Sequence, residues 1–193
     1  MKKVALDDLI GLSAYEKVRS RFRQEIIEYK KNRRLPVGDR VSLVFENRNT
    51  VIFQIQEMVR TERITDLDKI KDEIDVYNSL IPNSDELSAT LLIVIEDQTK
   101  IREALLKFLG IDEAVYLKIG EQHAIRATFE EGYSKEDKIS AVQYVRFRLS
   151  PDARRAFIAG QDEILVLIDH PSYKAQAKVW KEMRESLSQD LTE

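Results

Sequence analysis

The sequence predicts an α+β fold: one domain over residues 1–193, with a mixed, mostly antiparallel sheet packed with about six helices. Three observations carry this. Residues 88–95, SATLLIVI, are nearly continuous β-type apolar residues, as in a central strand. Residues 13–34 and 50–63 instead carry apolar side chains at spacings of three and four, one face of a helix. Strands and helices follow in no regular alternation, and a hairpin signature around Gly120 argues against a purely parallel sheet.

Taken in order, Ser13 and Glu16 can form a capping box, and Tyr15, Val18, Phe22, Ile26 and Tyr29 make one apolar stripe. The cations of Lys30-Lys31-Asn32-Arg33-Arg34 suit a helix C-terminus, and Pro36 stops the helix, giving an N-terminal helical segment over 6–35. Residues 40–46 read as a strand. Asn49 or Thr50 starts a helix running to about Arg63, and Asp66 starts another with the stripe Leu67, Ile70, Ile74 and Tyr77. A loop containing Pro82 leads to the 88–95 strand, and a helix over 98–109 ends at Gly110. Residues 114–120 and 123–129 form the hairpin, and the polar stretch 130–138 is a loop. Residues 140–149 alternate as a half-exposed strand does, and Pro151 opens a helix to Gly160. Residues 163–168 are another buried strand. A C-terminal helix over 173–189 carries Tyr173, Ala177, Trp180, Met183 and Leu187 on one side, a stripe for the core or for a homodimer contact.

At 193 residues, 43% apolar and 34% charged, the chain can bury a full core. No apolar run approaches the roughly 18 residues of a membrane span, and Asp7 and Asp8 interrupt the N-terminal apolar stretch, so a cytoplasmic protein without membrane contact is expected. Cysteine is absent, which excludes disulfides, thiol catalysis and cysteine-held metal clusters within the chain. With only His123 and His170, any metal site would lean on carboxylates, and none is assigned. Net charge is −3 but uneven. Residues 15–40 hold nine Lys/Arg against four Asp/Glu, and residues 66–100 hold nine Asp/Glu against three Lys/Arg. The balance does not suggest a dedicated nucleic-acid binder; the asymmetry suits docking between subunits or with another protein.

Two segments hold candidate functional residues. On a helix at about 100° per residue, Thr50, Gln54, Glu57 and Thr61 share the face opposite Val51, Ile55 and Val59, with Phe53 and Arg60 beside them. Such a row of donors, acceptors, a carboxylate and a guanidinium can grip a polar ligand or a partner's backbone. Glu46, Asn47 and Arg48 stand at the strand exit, where backbone N–H groups and Arg48 can hold an anion. The plain alternative is a helix cap at Asn49 with ion pairs to neighbours. The second segment is Ile168-Asp169-His170-Pro171-Ser172-Tyr173. His170 can serve as a general base or metal ligand and Tyr173 as a proton donor, whereas the plain reading is a turn. Tyr144, Arg146 and Arg148 project from one strand face, as an anion patch or a solvated face. There is no phosphate-binding glycine loop, GxSxG, HExxH or di-iron Glu-x-x-His pair, which argues against an ordinary enzyme.

FENRNTVIFQIQEMVRTER (45–63), DVYNSLIP (75–82), SAVQYVRFRL (140–149) and DHPSY (169–173) resemble a bacterial family known as a domain of unknown function, over nearly the whole chain. Genes of that family often lie beside those for rubrerythrin and an iron–sulfur oxidoreductase. The resemblance implies a role in oxygen or peroxide defence, with redox chemistry belonging to the partners, and carries over no catalytic residues or cofactor. The leading expectation is therefore a non-catalytic accessory protein that docks a redox partner or binds a small anionic ligand, using Glu46, Asn47, Arg48, Gln54, Glu57 and Arg60. The rival is a metal-dependent enzyme using His170 with Glu57 or Asp169, and a third is nucleic-acid binding through residues 19–34.

Overall fold

The computed structural model describes residues 1–130, 134–135 and 138–192. A single helical turn at Leu6–Asp8 precedes α1 (Leu12–Lys31). Then come β1 (Arg34–Val37), β2 (Val41–Glu46), α2 (Arg48–Thr61), α3 (Leu67–Asn78), β3 (Glu86–Ile93) and α4 (Ile101–Leu106). The strands β4 (Val115–Ile119), β5 (His123–Arg126), β6 (Thr128–Phe129), β7 (Ser134–Lys135), β8 (Lys138–Ile139) and β9 (Val142–Arg148) follow. The chain closes with α5 (Pro151–Ala159), β10 (Ile164–His170), β11 (Tyr173–Lys178) and α6 (Lys181–Thr192).

The fold is α+β, and its strands form two larger antiparallel sheets where one mixed sheet is expected. One has the order β1-β2-β3-β9-β6, the other β11-β10-β4-β5, and β7 pairs only with β8. The 88–95 run does form a central strand: β3 lies between β2 and β9. The chain changes sheets at Ala127, whose N–H still donates to Val115 O before Thr128 pairs with Arg146 of β9.

Alternation along each strand sends one set of side chains to each face. Leu43, Phe45, Leu87, Leu91, Val145 and Phe147 of the five-stranded sheet meet Val115, Leu117, Val166 and Ile168 of the four-stranded sheet. Phe157 of α5 and Met183 and Leu187 of α6 complete this core. A second, smaller cluster joins α2 and α3 through Val51, Ile55, Val59, Ile74, Leu80 and Ile81, with Tyr144 reaching it from the sheet. An N-terminal strap is stitched to these helices by two amide side chains. Asn78 receives the Val4 N–H and donates to Val4 O, at 2.8 and 2.9 Å. Gln56 does the same for Ile10, at 2.9 and 2.8 Å.

Several elements depart from expectation. Gly11, not Ser13, precedes α1, and α1 ends at Lys31. Arg34–Val37 then pairs with β2 as an edge strand, a position that tolerates Pro36 because no ladder partner needs its missing N–H. The helical segment thus stops short of residue 35. Residues 173–178 are strand, not the start of the last helix. Tyr173, Ala175 and Ala177 turn toward the core while Lys174, Gln176 and Lys178 are exposed, a period of two rather than 3.6. The final helix is Lys181–Thr192, beyond Trp180. Leu67, assigned to a buried stripe, is 59% exposed. The polar stretch 130–138 lies largely outside the described residues. Elsewhere local chemistry gives the expected boundary: Ser150 Oγ accepts from Ala153 N, Pro151 occupies the first turn of α5, and Gly160 ends it at φ +66°.

Candidate functional site

The residues at the β2–α2 junction converge on a buried polar knot. Asn47 is the N-cap of α2, in place of Asn49: its Oδ1 accepts from Asn49 N and Thr50 N, and Thr50 Oγ1 accepts from Asn47 N. Its amide nitrogen donates to Tyr29 Oη at 2.6 Å and to Asp190 Oδ1 at 3.0 Å. Asp190 pairs with Arg33, whose guanidinium is fully buried and also donates to Phe45 O, Glu46 O and Ser186 Oγ. The Glu46 carboxylate, 2% exposed, accepts from Thr90 Oγ1 at 2.7 Å on one oxygen and from Thr50 Oγ1 and Gln54 Nε2 on the other. Of the eight residues proposed from sequence, Glu46, Asn47 and Gln54 meet here. Arg33, Tyr29, Thr90 and Asp190 complete the knot and are not legible as members from sequence. The one available signal is Asp190, a carboxylate in line with the apolar residues Met183, Leu187 and Leu191 of α6.

The rest of the α2 face is divided between other partners. Arg48 reaches Asp8 of the strap at 2.6 Å. The α2 first turn is occupied too, since Asn49 N and Thr50 N are capped and Arg48 N lies 3.2 Å from Met1 Sδ. Glu57 and Arg60 form a seam with α1. Arg19 grips Glu57 through two nitrogens at 2.8 and 2.7 Å, Tyr15 Oη donates to Glu57 at 2.8 Å, and Arg60 lies 2.9 Å from Glu16. The Arg19 bonds, with Tyr15 behind them, hold the Glu57 carboxyl below its ordinary range, while burial pushes the Tyr15 phenol up.

A carboxylate whose pKa is depressed on folding adds stability above its unfolded value, and loses it as pH falls through the folded one. The gap in melting temperature between the native protein and a Glu57→Gln variant should therefore be widest above about pH 5 and close below it. A gap that stays constant down to about pH 3 would remove the ion pair from the account of this seam.

The second segment is built differently. His170 ends β10 rather than standing beyond it, and both ring nitrogens are engaged: Nε2 lies 2.7 Å from Leu109 O, and Nδ1 is 3.2 Å from Ser172 N. Ser172 N donates to Nδ1, which leaves Nε2 as the nitrogen facing Leu109 O, and the ring is stacked near Phe108. Asp169 faces away and pairs with Lys174 at 2.8 Å. Tyr173 Oη donates to Val37 O at 2.7 Å and accepts from Arg40 N at 3.1 Å, tying the β10–β11 hairpin to the β1–β2 turn. Gly38 sits under that hydroxyl at φ +75°, where any Cβ would lie 2.3 Å from Tyr173 Oη. His170 and Glu57 thus have separate partners on separate sheets and helices. Arg146 and Arg148 are paired with Glu86 and Asp85. Among the described residues, no three His, Asp or Glu side chains converge as a metal would require.

Tyr173→Phe should lower stability by about 1 kcal/mol, one hydrogen bond's worth, read as a shift of the urea midpoint. An unchanged midpoint would free this hydroxyl from its structural role.

Residues 3–191 match a family described as Protein of unknown function (DUF3501). The chain belongs to this family. A solved structure is similar throughout: a crystal structure of a novel protein of unknown function from Burkholderia pseudomallei K96243. It shares 34% identity at a TM-score of 0.92, over 98% of this chain and 100% of that one. No curated protein matches the sequence. Family membership thus extends to the whole fold just described, and no described helix is long and apolar enough to cross a membrane.

Proposed function

We propose that the protein is a non-catalytic accessory protein that docks a partner. The carrying observation is that the candidate acid–base groups are saturated within the chain: Glu46 by three donors, Glu57 by Arg19 and Tyr15, and His170 at both ring nitrogens. A catalytic group needs a free face toward substrate, and these groups are committed to partners within the chain. The α3 helix within the acidic segment 66–100 offers a docking surface instead. Asp68, Asp72, Asp75 and Val76, the last 65% exposed, share its outer face at spacings of three and four. An apolar anchor within a predominantly acidic field suits a basic partner. The partners proposed are those that the sequence resemblance implies, rubrerythrin and an iron–sulfur oxidoreductase of oxygen or peroxide defence, which would supply the redox chemistry.

The test is co-migration on size exclusion with each of those two proteins at about 10 µM, suited to a transient redox complex. A complex at low salt that dissolves at high salt, and weakens in a Asp72→Lys/Asp75→Lys variant, supports the reading. No complex at either salt, or a turnover lost on His170→Ala, overturns it. A small anionic ligand at the α2 face would have to compete with Asp8 for Arg48 and with Glu16 for Arg60. Nucleic-acid binding along α1 would have to overcome Glu25 and Glu28, which already pair with Arg21 and Lys31.

A further inference from the structure

A cleft of about 440 Å³ opens between the N-terminal strap, α1 and α2. This is within the range of small-molecule sites, which are mostly apolar with a few placed polar groups. Its walls are Ile10 of the strap, Phe22, Ile26 and the Tyr29 ring of α1, and Ile52 of α2. The wall is held rigid from behind. Phe22 packs edge-on to Tyr15 and tilted to Phe53, and the Arg33 guanidinium covers the Tyr29 ring at 5.6 Å. The strap cannot simply fold in, because Gln56 holds Ile10 by both backbone groups and Asp8 is held by Arg48 and by Ala5 N. Ile10 consequently stays 37% exposed at the mouth.

The polar atoms of the lining are mostly consumed. Gln56 spends its amide on Ile10, and both Asp8 oxygens are bonded. Tyr29 and the exposed Asn49 amide are the exceptions. The Tyr29 hydroxyl accepts from Asn47 and donates to no described residue, so its proton remains for an occupant. The ionisable groups in the lining are Asp8 and Glu25, both carboxylates. We propose that this cleft is a binding site for a neutral, mostly apolar small molecule, aromatic or alicyclic, whose carbonyl or similar oxygen accepts from Tyr29. Such a molecule covers Ile10 and Ile52, satisfies the Tyr29 donor, and avoids the repulsion an anion would meet from Asp8 and Glu25. The site is separate from the docking surface on residues 66–100, so failure of either leaves the other standing.

Benzamide and benzoate, alike in shape and differing in charge, are the probes. Titration of the full chain, followed by the NMR signals of the Ile10 and Ile52 methyls and the Tyr29 ring, should show saturable shifts with benzamide and at least tenfold weaker binding of benzoate. Tyr29→Phe should weaken benzamide about fivefold, the loss of one hydrogen bond. Ile52→Trp should fill the cleft and abolish the shifts. Ile10→Trp, altering only a half-exposed side chain on the strap, does the same should the Ile52 change disturb folding. No saturable shift, binding unaffected by either tryptophan, benzoate binding equal to benzamide, or Tyr29→Phe binding unchanged would each overturn the assignment.

Discussion

Asp190→Ala should destabilise the protein by about 3–5 kcal/mol, a large share of the 5–15 kcal/mol that keeps a domain of this kind folded. Arg33 is fully exposed to this change because it is fully buried: its guanidinium has 0% surface and Asp190 is its only carboxylate partner among the described residues. The remaining bonds, to Phe45 O, Glu46 O and Ser186 Oγ, satisfy donors but do not neutralise a charge. Asn47 also loses one acceptor, which loosens the cap of α2. The double variant Arg33→Met/Asp190→Leu discriminates. Removing both charges should recover most of the loss, since a buried pair stabilises little relative to apolar residues of similar volume. Urea midpoints at neutral pH read both. A loss below about 1 kcal/mol in Asp190→Ala would mean that water or another group reaches Arg33.

This pair also marks where sequence reading stops. The elements that depend on local chemistry are legible: Asp66 capping α3, Ser150-Pro151 opening α5, Gly160 closing it, and the β-type run that became β3. Their signals lie within a few residues of the structure they specify. The β11 strand is missed because YKAQAK is short and half polar, and its two-residue period becomes decisive only beside β10. The candidate site is legible in the same partial way. Glu46, Asn47 and Gln54 stand within eight residues of each other in sequence and do meet. Arg33 and Asp190 are 157 residues apart, and nothing in KKNRRL separates the buried arginine from its exposed neighbours. Charge type and helix phase alone do not reveal the intrachain partners of Glu57 and Arg60. Their partners, Arg19 and Glu16, sit on α1, so a row that suits an external ligand is consumed by helix packing.

Glu46→Ala should lower stability by about 2 kcal/mol, because it takes the acceptor from the buried Thr90 hydroxyl and leaves Thr50 and Gln54 only their bonds to Asn47 O and Thr50 O. Thr50 and Gln54 come from α2 and Thr90 from β3, so one carboxylate joins the helix layer to the centre of the sheet. No cation lies within ion-pair reach of it among the described residues, and its charge is carried by these neutral donors and by the field of Lys30. That lysine is half-buried, its ammonium 5.6 Å from the centre of the Phe53 ring. Burial lowers the Lys30 pKa, Glu46 opposes the shift, and Arg34 and Arg33 add to it. Glu46→Gln keeps the shape and removes the charge, so the Lys30 pKa should fall further, measurable by NMR titration of its side-chain carbons. An unchanged Lys30 would separate the two groups electrostatically. Partner binding supplies the functional half of the test. A carboxylate that only braces α2 against β3 can lose its charge while the protein still docks, whereas one that contacts the partner cannot. Docking retained in Glu46→Gln and lost in Asp72→Lys/Asp75→Lys would therefore place recognition on the acidic outer segment, with the knot at β2–α2 as the brace that holds it in position.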